Sequence, residues 1–192
     1  TVEDPFVVTL TKDIALTAKD NAVWTEEVKG IGFTGTPFTG VFDGNEFTIS
    51  GFASTCPLFY EVSNAPVGIV KNLTLDGAIS RDLSDITGTT NVGSMVGISR
   101  GQIENCHSLV DITISAATIS NNVRVGGLVA YTTWGYISNS SYSGNIVVES
   151  GFATSAEFYL GGSTGYTNTE TAYIENSDMS GTVYLQGEYA ST

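Results

Sequence analysis

The hydrophobic positions of the chain fall into short runs of three or four residues, and polar residues or glycine separate one run from the next. Alternation of apolar and polar positions over such short lengths predicts β-strands, and no stretch between the runs has the period of a helix. The pattern therefore predicts an all-β protein whose strands are joined by many tight turns.

Three kinds of strand recur in a fixed order with a period of about 34 residues. The first contains glycine and occupies residues 92–97, 125–130 and 160–165, so that its first Gly steps by 33 and then by 35. The second ends in an asparagine, at Asn72, Asn105, Asn139 and Asn176, with steps of 33, 34 and 37. The third is rich in Ile and Val and aligns Ile79, Ile112, Ile146 and Val183.

One unit of this length cannot bury its own apolar face. Stacked units, with each strand paired in parallel to its counterpart, share a continuous core and satisfy their backbone hydrogen bonds. The repeat thus predicts a parallel β-helix of about four to five coils. A β-sandwich also offers short strands, but it does not place the same residue type at the same register in every unit.

The N-terminal part departs from this repeat. We expect residues 1–55 to form an atypical first coil and cap, and residues 56–192 to form the repeat coils of the same single domain. Within the first part, Asp43, Gly44 and Asn45 separate two alternating segments. They predict a turn in which glycine supplies the positive φ.

Several of these segments carry a resemblance to a known family. Residues 38–45 (FTGVFDGN), 48–51 (TISG), 125–131 (VGGLVAY) and 137–140 (ISNS) resemble the GLUG-repeat family of bacterial extracellular proteins. Over residues 24–185 the resemblance implies a right-handed β-helix with an extracellular, adhesive or structural role, and it supplies no catalytic residues. The sequence departs from the pattern at Ser163 and Thr164, which replace an apolar pair, and at Cys56 and Pro57, which replace a glycine.

Composition and charge narrow the classes of function. The 192 residues include 20 Asp and Glu against 7 Lys and Arg, a net charge of −13, so no basic patch for nucleic acid can be assembled. No apolar run approaches the length that spans a bilayer, which predicts no membrane insertion. Gly, Ser, Thr and Asn account for 79 residues, and this composition favours an extracellular location. The chain begins at Thr1 without an initiator Met, which is typical of a processed or excised segment.

Carboxylates are the groups that a polysaccharide-acting β-helix enzyme would use. The candidates are Asp82, Asp85, Glu104, Asp111 and Glu175. Glu104 and Glu175 are two coils apart, roughly 9 to 10 Å at the usual strand spacing, and neither has an identifiable acid partner. We therefore expect no enzyme and no cofactor, with a carbohydrate-active enzyme as an alternative.

Metal sites have little support in the sequence. His107 is the single histidine, so a zinc ligand set is lacking, and we expect it to be an outward-facing strand residue. Calcium bound through Asp82, Asp85 and loop carbonyls stays open, although no Asp-rich calcium-loop motif is present. We predict no metal site. Whether Cys56 and Cys106 form a disulfide also stays open.

The asparagine column is expected to be structural, with stacked amides that bond to each other and to the turn backbone. Two alternatives remain, namely a ligand-binding row and glycosylation at Asn72 and Asn139. The paired glycines 126–127 and 161–162 are expected to serve backbone geometry, because no helix follows them to bind a phosphate.

Aromatic residues are concentrated in the C-terminal third. Some recur in register, as Tyr131 and Tyr166 do, which favours structural stacking along the coils. An exposed aromatic stripe would also hold a protein or a carbohydrate. The candidates for such a surface are Tyr131, Trp134, Tyr136, Tyr142, Tyr166 and Tyr173.

Together these observations predict a non-enzymatic extracellular β-helix module with an adhesive or structural role at a cell surface. Its expected partners are a host or neighbouring-cell protein or glycan, or copies of itself. A self-assembling fibre subunit is the main alternative, because open ends of a β-helix are unpaired edges. A polysaccharide-acting enzyme is the second alternative.

Overall fold

The computed structural model describes residues 5–25, 28–33, 35–64, 68–84, 86–152, 156–169 and 171–187. These residues form twenty short strands and one helical turn. In chain order the elements are β1 (Val7–Thr9), β2 (Ile14–Ala15), α1 (Ala18–Asn21), β3 (Val41–Asp43), β4 (Thr48–Ser54), β5 (Phe59–Val62), β6 (Ile69–Asp82), β7 (Thr90–Gly93), β8 (Val96–Ser99), β9 (Gln102–Ser108), β10 (Asp111–Ile119), β11 (Val123–Gly126), β12 (Val129–Thr132), β13 (Tyr136–Ser138), β14 (Ser141–Tyr142), β15 (Ile146–Phe152), β16 (Phe158–Gly161), β17 (Thr164–Thr167), β18 (Tyr173–Glu175), β19 (Asp178–Met179) and β20 (Val183–Gln186).

The strands stack in parallel into three sheets that wind around one core. The largest sheet has 13 strands and runs through β18, β13, β9, β6, β10, β15 and β20, and the two smaller sheets follow the orders β16-β11-β7 and β17-β12-β8-β5. Each strand pairs with its counterpart about one repeat away, as β11 does with β7 and β16. The protein is a β-solenoid of about five turns, which confirms the predicted parallel β-helix.

The register of this stack matches the sequence repeat residue by residue. Ile112 pairs with Ile79 on one side and with Ile146 on the other, and Val183 continues the same row. The three isoleucines are fully buried. Rows of this kind form the core, because a parallel in-register stack places every apolar position above its equivalent.

The glycine strands meet at a sharp corner between the two smaller sheets. At Gly126 a Cβ atom would overlap the carbonyl oxygen of Val129, and at Gly93 and Gly161 it would overlap the equivalent carbonyls. The turn between the strands carries Leu128, which is fully buried. Glycine is needed here because two consecutive strands of one coil pass each other in backbone contact.

The turn at residues 43–45 differs from the prediction. Strands β3 and β4 pair in parallel with β6 and not with each other, so no hairpin forms. The positive φ angles belong to Asn45 (51°) and Glu46 (65°) instead of Gly44. Gly44 is required for a different reason, because a Cβ atom there would overlap the carbonyl oxygen of Asn72 in the next coil.

The first coil is atypical, as its strands β1 and β2 are short and α1 follows them. Thr17 caps this helix through a reciprocal pair of hydrogen bonds with Asp20. Asn21 then joins the helix to β4, since its amide donates to the carbonyl oxygen of Gly51 and accepts from the amide of Ala53. The proposed boundary at residue 55 stays a prediction, and strands β1 to β4 belong to the same stack as the rest.

Both cysteines are buried as thiols, and no disulfide joins them. Burial raises the pKa of the Cys106 thiol to about 12. Its Sγ atom lies 3.4 Å from the carbonyl oxygen of Glu104 and 3.5 Å from that of Val70. Cys106 therefore serves as a small apolar core residue in the row that also holds Leu73.

Candidate binding surfaces

The carboxylates proposed as catalytic candidates are spread over the surface. Asp82 is the last residue of β6, and two hydrogen bonds from Ser84 lower the pKa of its carboxyl. Glu104 and Glu175 flank Ser138 in register, as expected for residues two coils apart. Asp111 accepts hydrogen bonds from the backbone and the side chain of Asn145. Asp85 lies outside the described residues.

The part of the chain that the structure describes holds no group of three His, Cys, Asp or Glu residues arranged for a metal ion. His107 is half-buried on β9, and its Nδ1 atom lies 2.8 Å from the hydroxyl of Ser141 in the next coil. The imidazole thus forms a hydrogen bond between neighbouring coils. The calcium site that the sequence leaves open would use Asp82 and Asp85, and Asp85 lies outside the described residues.

All four asparagines of the column have left-handed backbone conformations, with φ angles between 46° and 53°. Asn72 and Asn105 are half-buried, whereas Asn139 and Asn176 are exposed, so the column is not a buried row along its whole length. The amide of Asn105 donates to the side chains of Asn72 at 3.1 Å and Glu46 at 2.8 Å. Asparagine tolerates this conformation better than other residues with side chains, which explains its recurrence at one corner.

The column continues into the N-terminal coils through Asp43. The amide of Asn72 donates to its carboxylate at 2.9 Å, and Lys71 forms an ion pair with it at 3.3 Å. Burial alone would raise the pKa of Asp43, but hydrogen bonds from Asn72 and the Asn45 backbone, together with the charge of Lys71, lower it. Asp43 is therefore the last residue in this series of hydrogen-bonded side chains, and its carboxylate is charged.

Tyr142 must be removed from the candidate binding surface. Its side chain is fully buried, and its hydroxyl donates to the carbonyl oxygens of Val110 at 3.0 Å and Asn145 at 3.1 Å. Burial also raises the pKa of its phenol. The ring packs under Gly127, where a Cβ atom would collide with it. The prediction was wrong because the alternation of β14 places this position inside.

Tyr131 and Tyr166 do stack in register, with ring centroids 5.6 Å apart. The guanidinium of Arg124 lies 4.3 Å from the Tyr131 ring centre and 4.9 Å from that of Tyr166. Tyr159 closes the group at 4.4 Å from Tyr166. All four side chains are half-buried, and we call this group the Arg124 cluster. It joins the two smaller sheets across the glycine corner.

A second aromatic group lies at the turn between β12 and β13. Trp134 and Tyr173 are exposed, by 62% and 56%. Tyr136 and Tyr173 are paired in register, with ring centroids 4.5 Å apart at 61°. The hydroxyl of Tyr136 donates to a carboxylate oxygen of Glu175, and this hydrogen bond raises the pKa of the phenol. We call Trp134, Tyr136, Tyr173 and Glu175 the aromatic platform.

Sequence reasoning named five of the surface tyrosines and tryptophans but missed two polar partners. Arg124 was not assigned, although its strand alternation places it beside Tyr131 across the glycine corner. Glu175 was considered only as a catalytic acid, whereas it bonds to Tyr136. The register of the repeat contains the signal for Glu175, since it lies one coil after Ser138 and two residues after Tyr173.

A separate open groove of about 730 Å³ lies beside the first coil. Its lining residues are Asn21, Trp24, Thr25, Ala53, Ser54, Thr55, Ala78 and Ser80. None of these side chains is titratable. Asn21 and Ser54 already bond to neighbouring backbone carbonyls, so the groove is held together by its own polar groups.

Comparison with known proteins identifies a sequence relative and a solved structure with a similar fold. No protein-family model matches the chain. Over 137 residues, or 65% of the chain, it is 32% identical to halomucin of Haloquadratum walsbyi, and the match spans 1% of that protein's length. A crystal structure from Bacteroides ovatus, whose proposed function is that of an immunoglobulin A1 protease, shares 14% identity. It superposes with a TM-score of 0.50 over 98% of this chain and 79% of its own.

This superposition shows only that the two proteins share a fold. The parallel strand pairing of the chain independently identifies it as a β-helix module. Within the described residues, no helix has the length and apolar character needed to cross a membrane.

Proposed function

We propose that the chain is a non-enzymatic extracellular β-helix module with an adhesive or structural role at a cell surface. The observation that carries the proposal is the exposure of aromatic side chains on a rigid scaffold, with Trp134 at 62% and Tyr173 at 56%. Large exposed aromatic groups on a fixed framework are typical of interaction sites, because they lose little conformational freedom on binding.

Two further observations support the extracellular location. The similarity to a segment of halomucin supports a secreted or surface-exposed chain. The low content of charged residues, 14%, fits the composition expected there. The resemblance to the GLUG-repeat family stays a prediction that agrees with this role.

Binding and turnover can be tested on the same protein. Immobilised wild-type protein should retain a cell-surface glycoprotein or glycan and release no product from it. Depolymerisation of a polysaccharide that is lost in the Asp82→Ala variant would favour the enzyme alternative. Cleavage of immunoglobulin A1 would likewise contradict the proposal, since it would extend the activity proposed for the structural neighbour to this chain.

A self-assembling fibre subunit is the second candidate, and the end layers of the stack favour it. Ile174, Val183 and Leu185 in the last coil are 44%, 40% and 53% exposed, although they continue rows that are fully buried one coil earlier. In the first layer, Phe6 and Val7 are 71% and 55% exposed. A second copy stacked end to end would cover both layers and extend the parallel ladders.

Sizing chromatography and electron microscopy distinguish this candidate. Fibres or large oligomers that the Leu185→Lys variant dissolves would support it, because a charge at the stacked end is costly to bury. A monodisperse species of 20.2 kDa at high protein concentration would contradict it.

A further inference from the structure

Trp134 occupies a position that neither backbone preference nor packing explains. Its φ is 65°, a conformation in which a bulky side chain is a genuine outlier. The indole is 62% exposed, so burial does not offset the strain. A strained backbone at an exposed aromatic residue points to a functional demand on that side chain.

The register of the repeat shows that Trp134 lies in a connection of variable length. Thr132 pairs with Ser99 and Tyr136 pairs with Gln102, so three residues connect the paired positions here and two connect them in the preceding coil. Five residues separate the equivalent positions Thr167 and Tyr173 in the following coil, so the turn that carries the exposed indole differs in length from coil to coil. The backbone amide of Trp134 donates to the hydroxyl of Thr169 at 3.1 Å, which fixes this turn to the next coil.

The residues that follow Trp134 along the chain, and their partners in the next coil, are aromatic and acidic. Tyr136 follows two residues later, and Tyr173 lies beside it in the next coil with its ring 56% exposed. Oε1 of Glu175 accepts a hydrogen bond from the Tyr136 hydroxyl, and Oε2 of the same carboxylate has no hydrogen-bond partner among the described residues. Two residues along the chain and one step between coils separate Trp134 from Tyr173, a spacing of roughly 8 Å, and Glu175 lies two residues beyond Tyr173.

From this arrangement we propose that the aromatic platform binds a neutral oligosaccharide, with about two sugar rings lying over Trp134 and Tyr173. The C–H faces of pyranose rings pack on flat aromatic side chains, and Oε2 of Glu175 accepts a sugar hydroxyl. The carboxylate and the net charge of −13 disfavour an acidic sugar. The assignment rests on the proposed adhesive function and specifies its ligand and its residues.

The Arg124 cluster does not share this role. Its rings are half-buried and surround the guanidinium, so the faces that a sugar would need are already in contact. The two aromatic groups therefore divide the original set of tyrosines into a structural cluster and a ligand platform.

Glycan binding by the full chain tests the assignment. The probes are neutral hexaoses of glucose, mannose and N-acetylglucosamine, with a sialylated oligosaccharide and a proline-rich peptide as other ligand classes. We expect at least one neutral hexaose to bind, with affinity lower by about tenfold or more in Trp134→Gly and in Glu175→Gln. Tyr184→Ala removes another exposed tyrosine of the last coil, on β20, and should bind as the wild type does.

The Trp134→Gly variant separates binding from folding. Glycine adopts this φ without strain, so its urea midpoint should be at or above that of the wild type while glycan binding is lost. Binding that is unchanged in Trp134→Gly, or confined to the sialylated sugar or the peptide, would overturn the platform assignment and leave the adhesive function standing. Absence of binding to every probe would overturn the assignment, and the turnover assay above decides separately whether the module is an enzyme.

Discussion

At the scale of single residues, the corners of the solenoid depend on side chains that accept unusual backbone geometry. The asparagine column places an L-residue at φ near 50° in four successive coils. Any branched side chain would be strained there, whereas asparagine is tolerated and glycine would be free of strain. Where the column meets the N-terminal coils, the asparagine amides also bond to carboxylates. Asparagine therefore both adopts the left-handed conformation and links neighbouring coils through its side chain.

Asn139 isolates the backbone effect, because its side chain is exposed. We expect Asn139→Ala to lower the free energy of unfolding by about 1 kcal/mol, since alanine resists the left-handed region. Asn139→Gly should stay within about 0.5 kcal/mol of the wild type. Urea denaturation followed by circular dichroism measures both. Equal stability of the alanine and glycine variants would show that φ does not explain the column.

Asp43 should make stability depend on acid pH. Its folded pKa is lowered, so the stabilisation is present above the unfolded pKa of about 3.9 and is lost as pH falls through the folded pKa. The stability difference between wild type and Asp43→Asn should therefore shrink between pH 7 and strongly acidic solution. Asp76→Asn, at an exposed site, controls for the change in net charge. A difference that is constant with pH would contradict the assignment.

At the scale of elements, the glycine corner determines how the two smaller sheets meet. Strands β11 and β12 pass in backbone contact at Gly126, and Leu128 fills the core beneath the turn. The Arg124 cluster then joins the outer faces of the same two sheets. One corner thus combines close backbone approach, a buried apolar side chain and a half-buried cation between aromatic rings.

Gly126→Ala tests the close approach. The added Cβ would overlap the Val129 carbonyl oxygen, and we expect a loss of about 2 to 3 kcal/mol or more in the free energy of unfolding. Gly88→Ala is the matched control, because Gly88 has φ of 90° and open space around its Cβ position, which leaves only strain of about 1 kcal/mol. Chemical denaturation of both variants gives the comparison. A greater loss at Gly88 would show that backbone strain outweighs contact at this corner.

At the scale of the whole molecule, the contribution of a core residue depends on whether a further coil covers it. Ile137 and Ile174 occupy the same register, yet Ile137 is fully buried and Ile174 is 44% exposed. In a stack where each coil contacts only its neighbours, the end layer lacks one of its two interfaces. The same condition makes the end layers candidates for contact with another copy.

Alanine substitutions at Ile137 and Ile174 measure how much a covering coil adds to the contribution of a core residue. Ile137→Ala should cost about 2 to 5 kcal/mol, because it opens a cavity between two coils. Ile174→Ala should cost less than about 1 kcal/mol in the isolated monomer, since its side chain is partly solvated already. Urea midpoints at low protein concentration measure both values. Comparable losses would mean that a neighbouring copy or segment covers the last coil in solution.

The sequence by itself determined the parallel stack, its period and the register of its core rows, because an in-register solenoid places equivalent residues above one another and so records its geometry as a repeat. It did not determine which aromatic side chains face solvent. Tyr142 and Tyr136 read alike in the sequence, but one lies in the core under Gly127 and the other lies on the surface beside Glu175. Only the tertiary structure decided this, because the left-handed corner at Asn139 lies between the two tyrosines and changes the face on which the following side chains lie.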